Sequence, residues 1–293
     1  MLDGFAPSGT TAHRLASGAG GWVERLGSDV IISYKAEPAL PGILAEFDAW
    51  SSDHALPVER VFGRLLPRQN DERAAPVLLR GEAGPLQTVV TENNLRYAID
   101  FEAGYSAGLF LDQRANRALV REMKGGRLLN TFAYTCSFSV VAALAGAETV
   151  SVDLSRKSLD RGRENFALNA LSDDGHRFLA DDVLDVLPRL VRRGEKFDTV
   201  VVDPPTFSRG NKGRRWQIER DFEGLLANVL EVVAPGGRVL LSTNCTAMNR
   251  RALELAGRYA LKLHRLYGSF HQAQPLVDFP SPHGAQSLWL QLR

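Results

Sequence analysis

The apolar and polar positions follow two different patterns along the chain, and the change falls near residue 104. Before it, short alternating runs predict strands with one helix among them, which is typical of a small α+β module. Residues 1–21 are rich in Gly, Ala, Ser and Thr and show little periodicity, so we expect a loose tail there. The predicted strands of the module are 29–34, 61–66, 77–79 and 95–100, and its helix is 41–50.

After residue 104, apolar strands alternate with turns and amphipathic helices. This pattern predicts an α/β, Rossmann-like fold, in which a mostly parallel sheet carries helices on both faces and an antiparallel strand at its edge. Ser155 is expected to cap a helix that continues to about residue 171, and Pro235-Gly236-Gly237 is expected to end another. The predicted strands are 127–132, 149–153, 176–179, 197–202, 238–242, 261–267 and 287–292.

Length and composition favour a water-soluble protein of two domains. The 293 residues divide into the tail at 1–21, the small α+β domain at 22–103 and a large α/β domain at 104–293. The N-terminus has neither a basic nor a long apolar region and no apolar run is long enough to span a membrane, so we expect a cytoplasmic location. Cys136 and Cys245 are too few for a structural zinc site or a disulfide framework, and we predict no metal site.

The formal charge of +1 does not by itself predict a polyanion partner. Two local basic clusters do suggest one. The segment 209–216 is basic, interrupted by glycines and closed by a tryptophan, which suits a loop that contacts phosphates and stacks on a base. A solvated face is the alternative for both clusters. The second cluster is predicted to form one stripe on a helix and consists of Arg114, Arg117, Arg121 and Lys124.

Acidic residues end three successive strands of the predicted parallel sheet, where ligands bind in such folds. Asp153 ends the second strand, Asp182 follows the third, and Asp203 follows the fourth. An acid about twenty residues beyond the first turn is placed to accept hydrogen bonds from the ribose hydroxyls of a nucleoside cofactor. The turn at 130–137 contains no glycine, whereas a dinucleotide needs Gly-x-Gly-x-x-Gly there. We therefore expect a nucleoside cofactor that lacks a pyrophosphate.

Five ordered segments carry a resemblance to a known family. They are 108–114, 129–135, 151–155, 181–183 and 203–208, the last of which is Asp-Pro-Pro-Thr-Phe-Ser. In order and spacing they resemble the bacterial large-subunit ribosomal RNA methyltransferases of the class I S-adenosylmethionine-dependent type, which make 5-methylcytosine or 7-methylguanine. The likeness begins near residue 29, without the N-terminal RNA-binding module of many relatives.

The resemblance implies that S-adenosylmethionine is the cofactor and RNA the partner, with roles for individual residues. Asp112, Gln113 and Arg114 would lie near the methionine end of the cofactor. The base would be held by Asp203, Pro204, Pro205 and Phe207, and RNA phosphates by Arg209, Lys212, Arg214 and Arg215. The remaining implied cofactor residues are Asn130, Phe132, Tyr134, Thr135, Asp153, Leu154, Asp182 and Asp203.

Cys245 decides between two chemistries. Methylation at C5 of cytosine needs a thiolate that adds to C6, and Cys245 follows a strand as the nucleophile of the cytosine enzymes does. It lies one residue later than in those enzymes, which in an extended segment turns the side chain to the other face. The guanine enzymes have Asn-Asn here, which Thr243-Asn244 partly matches. Cys245 is therefore either a nucleophile or a packed core thiol.

We expect a methyltransferase that acts on RNA, and its expected target is a base of large-subunit ribosomal RNA. Two alternatives remain at this point. The near-neutral charge favours a small-molecule or protein methyltransferase, and a noncatalytic RNA-binding module on the same fold would lack cofactor binding. The sequence leaves the oligomeric state open between a monomer and a homodimer.

Overall fold

The computed structural model describes residues 7–66, 76–103, 107–280 and 283–293. The chain divides into two compact units. The first comprises Met1–Arg114 and Leu276–His283, and the second comprises Ala115–Pro275 and Gly284–Arg293.

The first unit is an α+β module, as predicted for this part of the chain. Its main sheet has five strands in the order β1-β2-β3-β4-β5, and β6 and β7 form a separate hairpin. Phe47 on α1 packs with apolar side chains of the sheet, including Val23, Ile32 and Val61. The elements are β1 Ala12–Ser17, β2 Gly21–Leu26, β3 Asp29–Tyr34, α1 Leu40–Asp53, β4 Arg60–Leu65, β5 Val77–Arg80, β6 Gln87–Glu92 and β7 Leu95–Asp100.

The prediction of a loose tail at 1–21 is wrong for Ala12–Ser17. This segment is β1, paired antiparallel with β2, and the Thr11 N–H also donates to the Thr91 carbonyl at 2.9 Å. Backbone hydrogen bonds order the strand although its sequence shows little periodicity. Residues 1–6 lie outside the described residues. The predicted domain boundary at 103/104 falls at the edge of a second range, 104–106, that is also outside them.

The second unit confirms the predicted mostly parallel sheet. Its strand order is β10-β9-β8-β11-β14-β16-β15. The strand β16 runs antiparallel to both of its neighbours, and it lies inside the sheet next to the edge strand β15. The strands are β8 Arg127–Thr131, β9 Glu148–Asp153, β10 His176–Ala180, β11 Phe197–Val202, β12 Phe207–Arg209, β13 Arg215–Gln217, β14 Val233–Thr243, β15 Gly268–His271 and β16 Gln286–Leu292.

The helices of the second unit correct two predictions. The predicted strand at 261–267 overlaps the end of α7, because the residues from Leu253 to Leu261 bury one helical face, and the edge strand starts only at Gly268. Pro235-Gly236-Gly237 lies inside β14 rather than after a helix. Ser155 does cap α4, since its hydroxyl accepts from the Ser158 N–H at 3.1 Å. The helices are α2 Arg114–Arg121, α3 Ser137–Leu144, α4 Arg156–Leu168, α5 Val183–Arg192, α6 Ile218–Leu230 and α7 Arg250–Leu263.

Among the described residues, no helix is both long and apolar enough to cross a membrane.

Close packing between the start of α3 and the middle of α4 depends on a glycine. Cys136 precedes α3 with a φ of 59°, and it is fully buried. A Cβ on Gly162 would lie 2.5 Å from the Cys136 Sγ and 2.9 Å from its Cβ. The burial that raises the pKa of the Cys136 thiol to about 12 also keeps it protonated, so this cysteine is a core residue.

We expect Gly162→Ala to destabilise the protein by about 1–3 kcal/mol, because the added methyl group overpacks this contact. In a Cys136→Gly background the same change should be neutral or stabilising, since alanine favours a helix by up to about 1 kcal/mol over glycine. Urea unfolding of the four proteins measures this.

Gly224 on α6 provides the matched control, because a Cβ there would meet nothing within 4 Å. Gly224→Ala should be stabilising in both backgrounds. An equal cost of Gly162→Ala with and without Cys136 would contradict the packing explanation.

Candidate active site

The site lies where three neighbouring parallel strands end together. Thr131 at the end of β8 is in register with Val152 of β9 on one side and Val202 of β11 on the other. The turn after β8 therefore lies between Asp153, the last residue of β9, and Asp203, the residue after β11. This is the edge of an α/β sheet where ligands bind.

The turn after β8 has a strained backbone. Phe132, Tyr134 and Cys136 all have left-handed conformations, with φ values of 54°, 48° and 59°. Each such residue other than glycine costs about 1–3 kcal/mol and persists only where its surroundings impose it. Here they do, because the Ala133 N–H donates to the Val152 carbonyl at 2.9 Å and the Tyr134 N–H donates to Asp153 Oδ2 at 2.8 Å.

Asp153 joins this turn to the next one. Its Oδ2 accepts from Tyr134, and its Oδ1 accepts from the Ser155 N–H at 2.8 Å. Burial raises the pKa of this carboxyl, although the two backbone hydrogen bonds oppose the shift. Leu154 beside it is 43% exposed. A half-buried carboxylate next to an exposed apolar side chain fits a ribose and the face of an adenine, so these residues suit the nucleoside part of S-adenosylmethionine.

Two of the implied cofactor residues instead support the turn from beneath. The Asn130 amide is buried and donates to the Ser139 hydroxyl at 3.0 Å, and that hydroxyl is hydrogen-bonded to Ser151. The Thr135 carbonyl accepts from the Asn165 amide at 2.9 Å. Phe132 is half-buried, with its ring centroid 6.0 Å from that of Trp216.

Asp182 is the N-cap of α5. Its Oδ1 accepts from the Leu184 N–H at 2.9 Å, and its Oδ2 accepts from Arg214 at 3.1 Å. Arg214 also donates to Asp185 at 3.0 Å. Two carboxylates hold its guanidinium, and the contact of Arg214 with RNA phosphate stays a prediction.

The Asp-Pro-Pro segment is held by a buried tryptophan. The Trp216 indole N–H donates to the Pro205 carbonyl at 2.8 Å, and Trp216 lies in the core of the unit. The prediction that the tryptophan of this loop stacks on a base is therefore wrong. Phe207 is the exposed aromatic instead, at 65% exposure.

The strands β12 and β13 form a short antiparallel hairpin directly after this platform. Phe207 pairs with Gln217 and Arg209 pairs with Arg215. Because directly paired residues point to the same face and successive residues to opposite faces, Phe207, Arg209 and Arg215 share the face opposite Trp216. All three are exposed. The side chain of Lys212 lies outside the described residues.

The predicted basic stripe at the start of the second unit is not an exposed surface. Arg117 is fully buried, with its guanidinium 5.8 Å from the Phe138 ring centroid. Arg114, which belongs to the first unit, is also buried and donates to Asp278 at 2.5 and 3.1 Å. Of the remaining two residues, Arg121 and Lys124 are exposed.

Asp112 and Gln113 form a short 3-10 turn before Arg114 in the first unit, and Gln113 is buried. The role of these three residues at the methionine end of the cofactor stays a prediction.

Cys245 and Asn244, in the segment that follows β14, have different environments. Cys245 is 7% exposed and belongs to the core cluster of the unit. Asn244 is exposed, and its Oδ1 accepts from the hydroxyl of Thr206 in the platform segment at 3.3 Å. The residue that reaches the platform is therefore Asn244. The one-residue offset of Cys245 in the sequence was the available indication of this.

The fold and the site together define an α/β enzyme of the class that binds a nucleoside cofactor at its strand ends. The family model of S-adenosylmethionine-dependent methyltransferases matches residues 59–286. The chain belongs to this family.

Curated relatives include Ribosomal RNA large subunit methyltransferase I of Shewanella amazonensis, which is 36% identical over 173 residues, or 58% of this chain and 43% of the relative. Ribosomal RNA large subunit methyltransferase K/L of Shewanella pealeana is 38% identical over 213 residues, or 71% of this chain and 29% of the relative. The matched part of the chain thus spans less than half the length of these relatives.

A solved methyltransferase complexed with SAH has a TM-score of 0.82 to this chain at 24% identity, covering 96% of this chain and 75% of the other. At this identity the likeness shows a shared fold.

We expect Asp153→Ala and Asp153→Asn to weaken S-adenosylmethionine binding by about 1–3 kcal/mol, because the ribose hydroxyls lose a carboxylate acceptor. Isothermal titration calorimetry measures this. Asp160→Asn, an exposed change on the outer side of α4, is the matched control and should bind normally. Unchanged affinity in both Asp153 variants would exclude the ribose contact.

The raised pKa of Asp153 predicts opposite effects of low pH on folding stability and on cofactor affinity. Because its folded pKa lies above its unfolded pKa, the ionised carboxyl opposes folding at neutral pH, and this cost disappears as the pH falls through the raised value. Cofactor affinity should fall over the same pH interval, since protonation removes the acceptor. Calorimetry at decreasing pH should show the loss in the wild type and not in Asp153→Asn.

Proposed function

We propose that this protein transfers a methyl group from S-adenosylmethionine to a base of large-subunit ribosomal RNA. The observation that carries the proposal is the outer face of the β12–β13 hairpin, where an exposed aromatic and two exposed arginines follow the Asp-Pro-Pro platform. The names of the relatives, which describe ribosomal RNA large subunit methyltransferases, agree with it. When bound, the cofactor supplies an electrophilic methyl group on its sulfonium.

The hairpin face has the chemistry that single-stranded RNA requires. Phe207 offers a flat apolar surface on which a base can stack, and such a contact contributes about 1–3 kcal/mol. Arg209 and Arg215, paired across the hairpin, place two cations on the same face for the adjoining phosphates. A methyltransferase of small molecules would have no use for this combination on an exposed face.

The platform would hold the target base beside the methyl group. Asp203 is half-buried at the end of β11, and the prolines that follow fix the backbone. Trp216 holds the Pro205 carbonyl from behind. We assign Asp203 as the polar contact to the base and Pro204, Pro205 and Phe207 as its rigid surroundings.

We propose further that the acceptor is a ring nitrogen, as in the guanine-modifying enzymes that the sequence resembles, rather than C5 of cytosine. A nucleophilic cysteine must reach the base, whereas Cys245 packs in the core and Asn244 reaches the platform. Guanine N7 has an available lone pair and loses no proton on methylation. Placement next to the sulfonium can therefore suffice without a nucleophile.

We expect purified protein to transfer tritiated methyl groups to unmodified large-subunit ribosomal RNA. Phe207→Ala should lower the affinity for RNA. Arg209→Gln with Arg215→Gln should reduce the slope of log affinity against log salt by about 0.7 for each phosphate that the protein no longer neutralises. Cofactor affinity should not change.

Arg258→Gln is the matched control, because Arg258 is exposed on α7 and paired along its own helix with Glu254 at 2.6 Å. It removes one positive charge and should leave the salt slope intact. Equal slopes for the wild type and the hairpin variant would contradict the phosphate contacts, and labelling of a protein or small molecule instead of RNA would contradict the substrate.

The role of Cys245 is tested with RNA that contains 5-fluorocytosine, which traps any covalent thiolate adduct because the fluorine cannot leave as a proton does. We expect no adduct, activity retained in Cys245→Ser, and activity reduced in Asn244→Ala. A stable adduct on a denaturing gel that disappears in Cys245→Ser would establish the cytosine mechanism instead.

A further inference from the structure

The tip of the β12–β13 hairpin lies against the acids that begin α5. The Asn211 N–H donates to Asp182 Oδ2 at 3.2 Å, and the Asn211 side-chain amide donates to Asp181 Oδ1 at 2.9 Å. Arg214 bridges Asp182 at 3.1 Å and Asp185 at 3.0 Å. Hydrogen bonds from two residues of the tip thus converge on this acidic turn.

This contact leaves little room for a side chain at Gly210 in the tip. A Cβ on Gly210 would lie 2.3 Å from Asp182 Oδ2, and its nearest alternative neighbour is the Arg214 side chain at 3.7 Å. A larger residue at position 210 would therefore require the Asp182 side chain to shift. The approach is a specific feature of the local sequence Gly210-Asn211.

The positive charge of the hairpin tip faces the negative charges at the start of α5. Hydrogen bonds from Arg214 and then Asn211 lower the pKa of Asp185, and Asp185 in turn raises the pKa of Arg214. The Arg214 side chain is 41% exposed. An ion pair with a side chain this accessible to water stabilises a fold only slightly. We therefore take its main effect to be the position of the hairpin tip.

The base of the same hairpin is fixed to the substrate platform. Trp216, two residues after Arg214, donates its indole N–H to the Pro205 carbonyl. A single hairpin therefore touches Asp182, one of the implied cofactor residues, at one end and the platform assigned to the target base at the other. Its outer face carries Phe207, Arg209 and Arg215.

We propose that Arg214 is a positioning residue that couples the adenine end of the cofactor pocket to the RNA-binding face of the hairpin. This inference rests on the proposed function and on one further assignment, that Asp182, one of the implied cofactor residues, accepts a hydrogen bond from the adenine amine. The Asp182 carboxylate would contact both the adenine amine and the hairpin tip. A bound adenine would therefore hold in place the carboxylate to which Asn211 and Arg214 donate. The tip becomes more ordered, and the outer face is set for RNA. Cofactor and RNA should therefore bind with positive coupling, which is reciprocal.

The first test needs no RNA. Hydrogen–deuterium exchange of peptides from 207–217 is measured with and without saturating S-adenosylhomocysteine, whose adenosine part is the one assigned to Asp153 and Asp182. We expect slower exchange in the wild type on addition of the ligand and no change in Arg214→Gln. Arg209→Gln, which removes an equal charge from the outer face of the same hairpin, should keep the wild-type response.

The second test measures the coupling itself. Saturating S-adenosylhomocysteine should tighten wild-type binding to a large-subunit ribosomal RNA fragment by roughly fivefold or more, and this factor should approach one in Arg214→Gln. Arg209→Gln should bind RNA more weakly with the factor preserved. Arg214→Lys, whose single ammonium cannot bridge two carboxylates as the guanidinium does, should give an intermediate factor, and it decides the question if Arg214→Gln does not fold.

Protection of the hairpin by S-adenosylhomocysteine that persists in Arg214→Gln, or that is absent in the wild type, would overturn the role of Arg214. A wild-type protein that shows this protection but binds no RNA would contradict the proposed substrate while leaving the link from Asp182 to the hairpin intact. The two proposals therefore fail separately.

Discussion

The hydrogen bonds of the Asp153 carboxylate are the constraint on which the rest of the site depends. One oxygen accepts from the turn after β8 and the other from the turn after β9, so a single side chain sets the spacing between two strand ends. The turn after β8 needs this support, because three of its residues have left-handed backbones without being glycine. Burial makes the charge on Asp153 unfavourable for folding. Titratable groups whose pKa values are shifted by burial cluster at functional sites, which agrees with a ligand contact at this edge.

The two faces of the β12–β13 hairpin have different environments. Its inner side chain Trp216 is part of the core and holds the platform by its indole N–H. Its outer side chains are exposed and combine an aromatic ring with two cations. Three residues of strand on each side are too few to be stable alone, so the hairpin depends on Trp216 at its base and on the acids held by Arg214 at its tip. The proposed surface for RNA therefore needs no large excess of positive charge on the whole chain.

The sequence was sufficient for the sheet and for the strand-end acids, because long apolar strands and the residues that follow them are governed by local periodicity and by the geometry of parallel sheets. The sequence was insufficient where the structure of a segment depends on the residues with which it pairs or packs. β1 has little periodicity and is ordered by β2, and the segment near residue 261 continues a helix because its apolar residues face the core. Arg114 and Arg117 have the spacing of an exposed stripe, yet burial against Asp278 and Phe138 respectively decides their environment. The offset of Cys245 was visible in the sequence, and the core position of its side chain agrees with it.

Mapping of modified nucleotides in large-subunit ribosomal RNA tests whether this site methylates one of its bases. The RNA is compared between the wild-type strain, a strain lacking the gene, and that strain carrying either the intact gene or the Asp203→Ala variant. We expect one base methylation to disappear on deletion and to return only with the intact gene. A modification pattern that is the same in all four strains, or a methylation restored by Asp203→Ala, would contradict the claim.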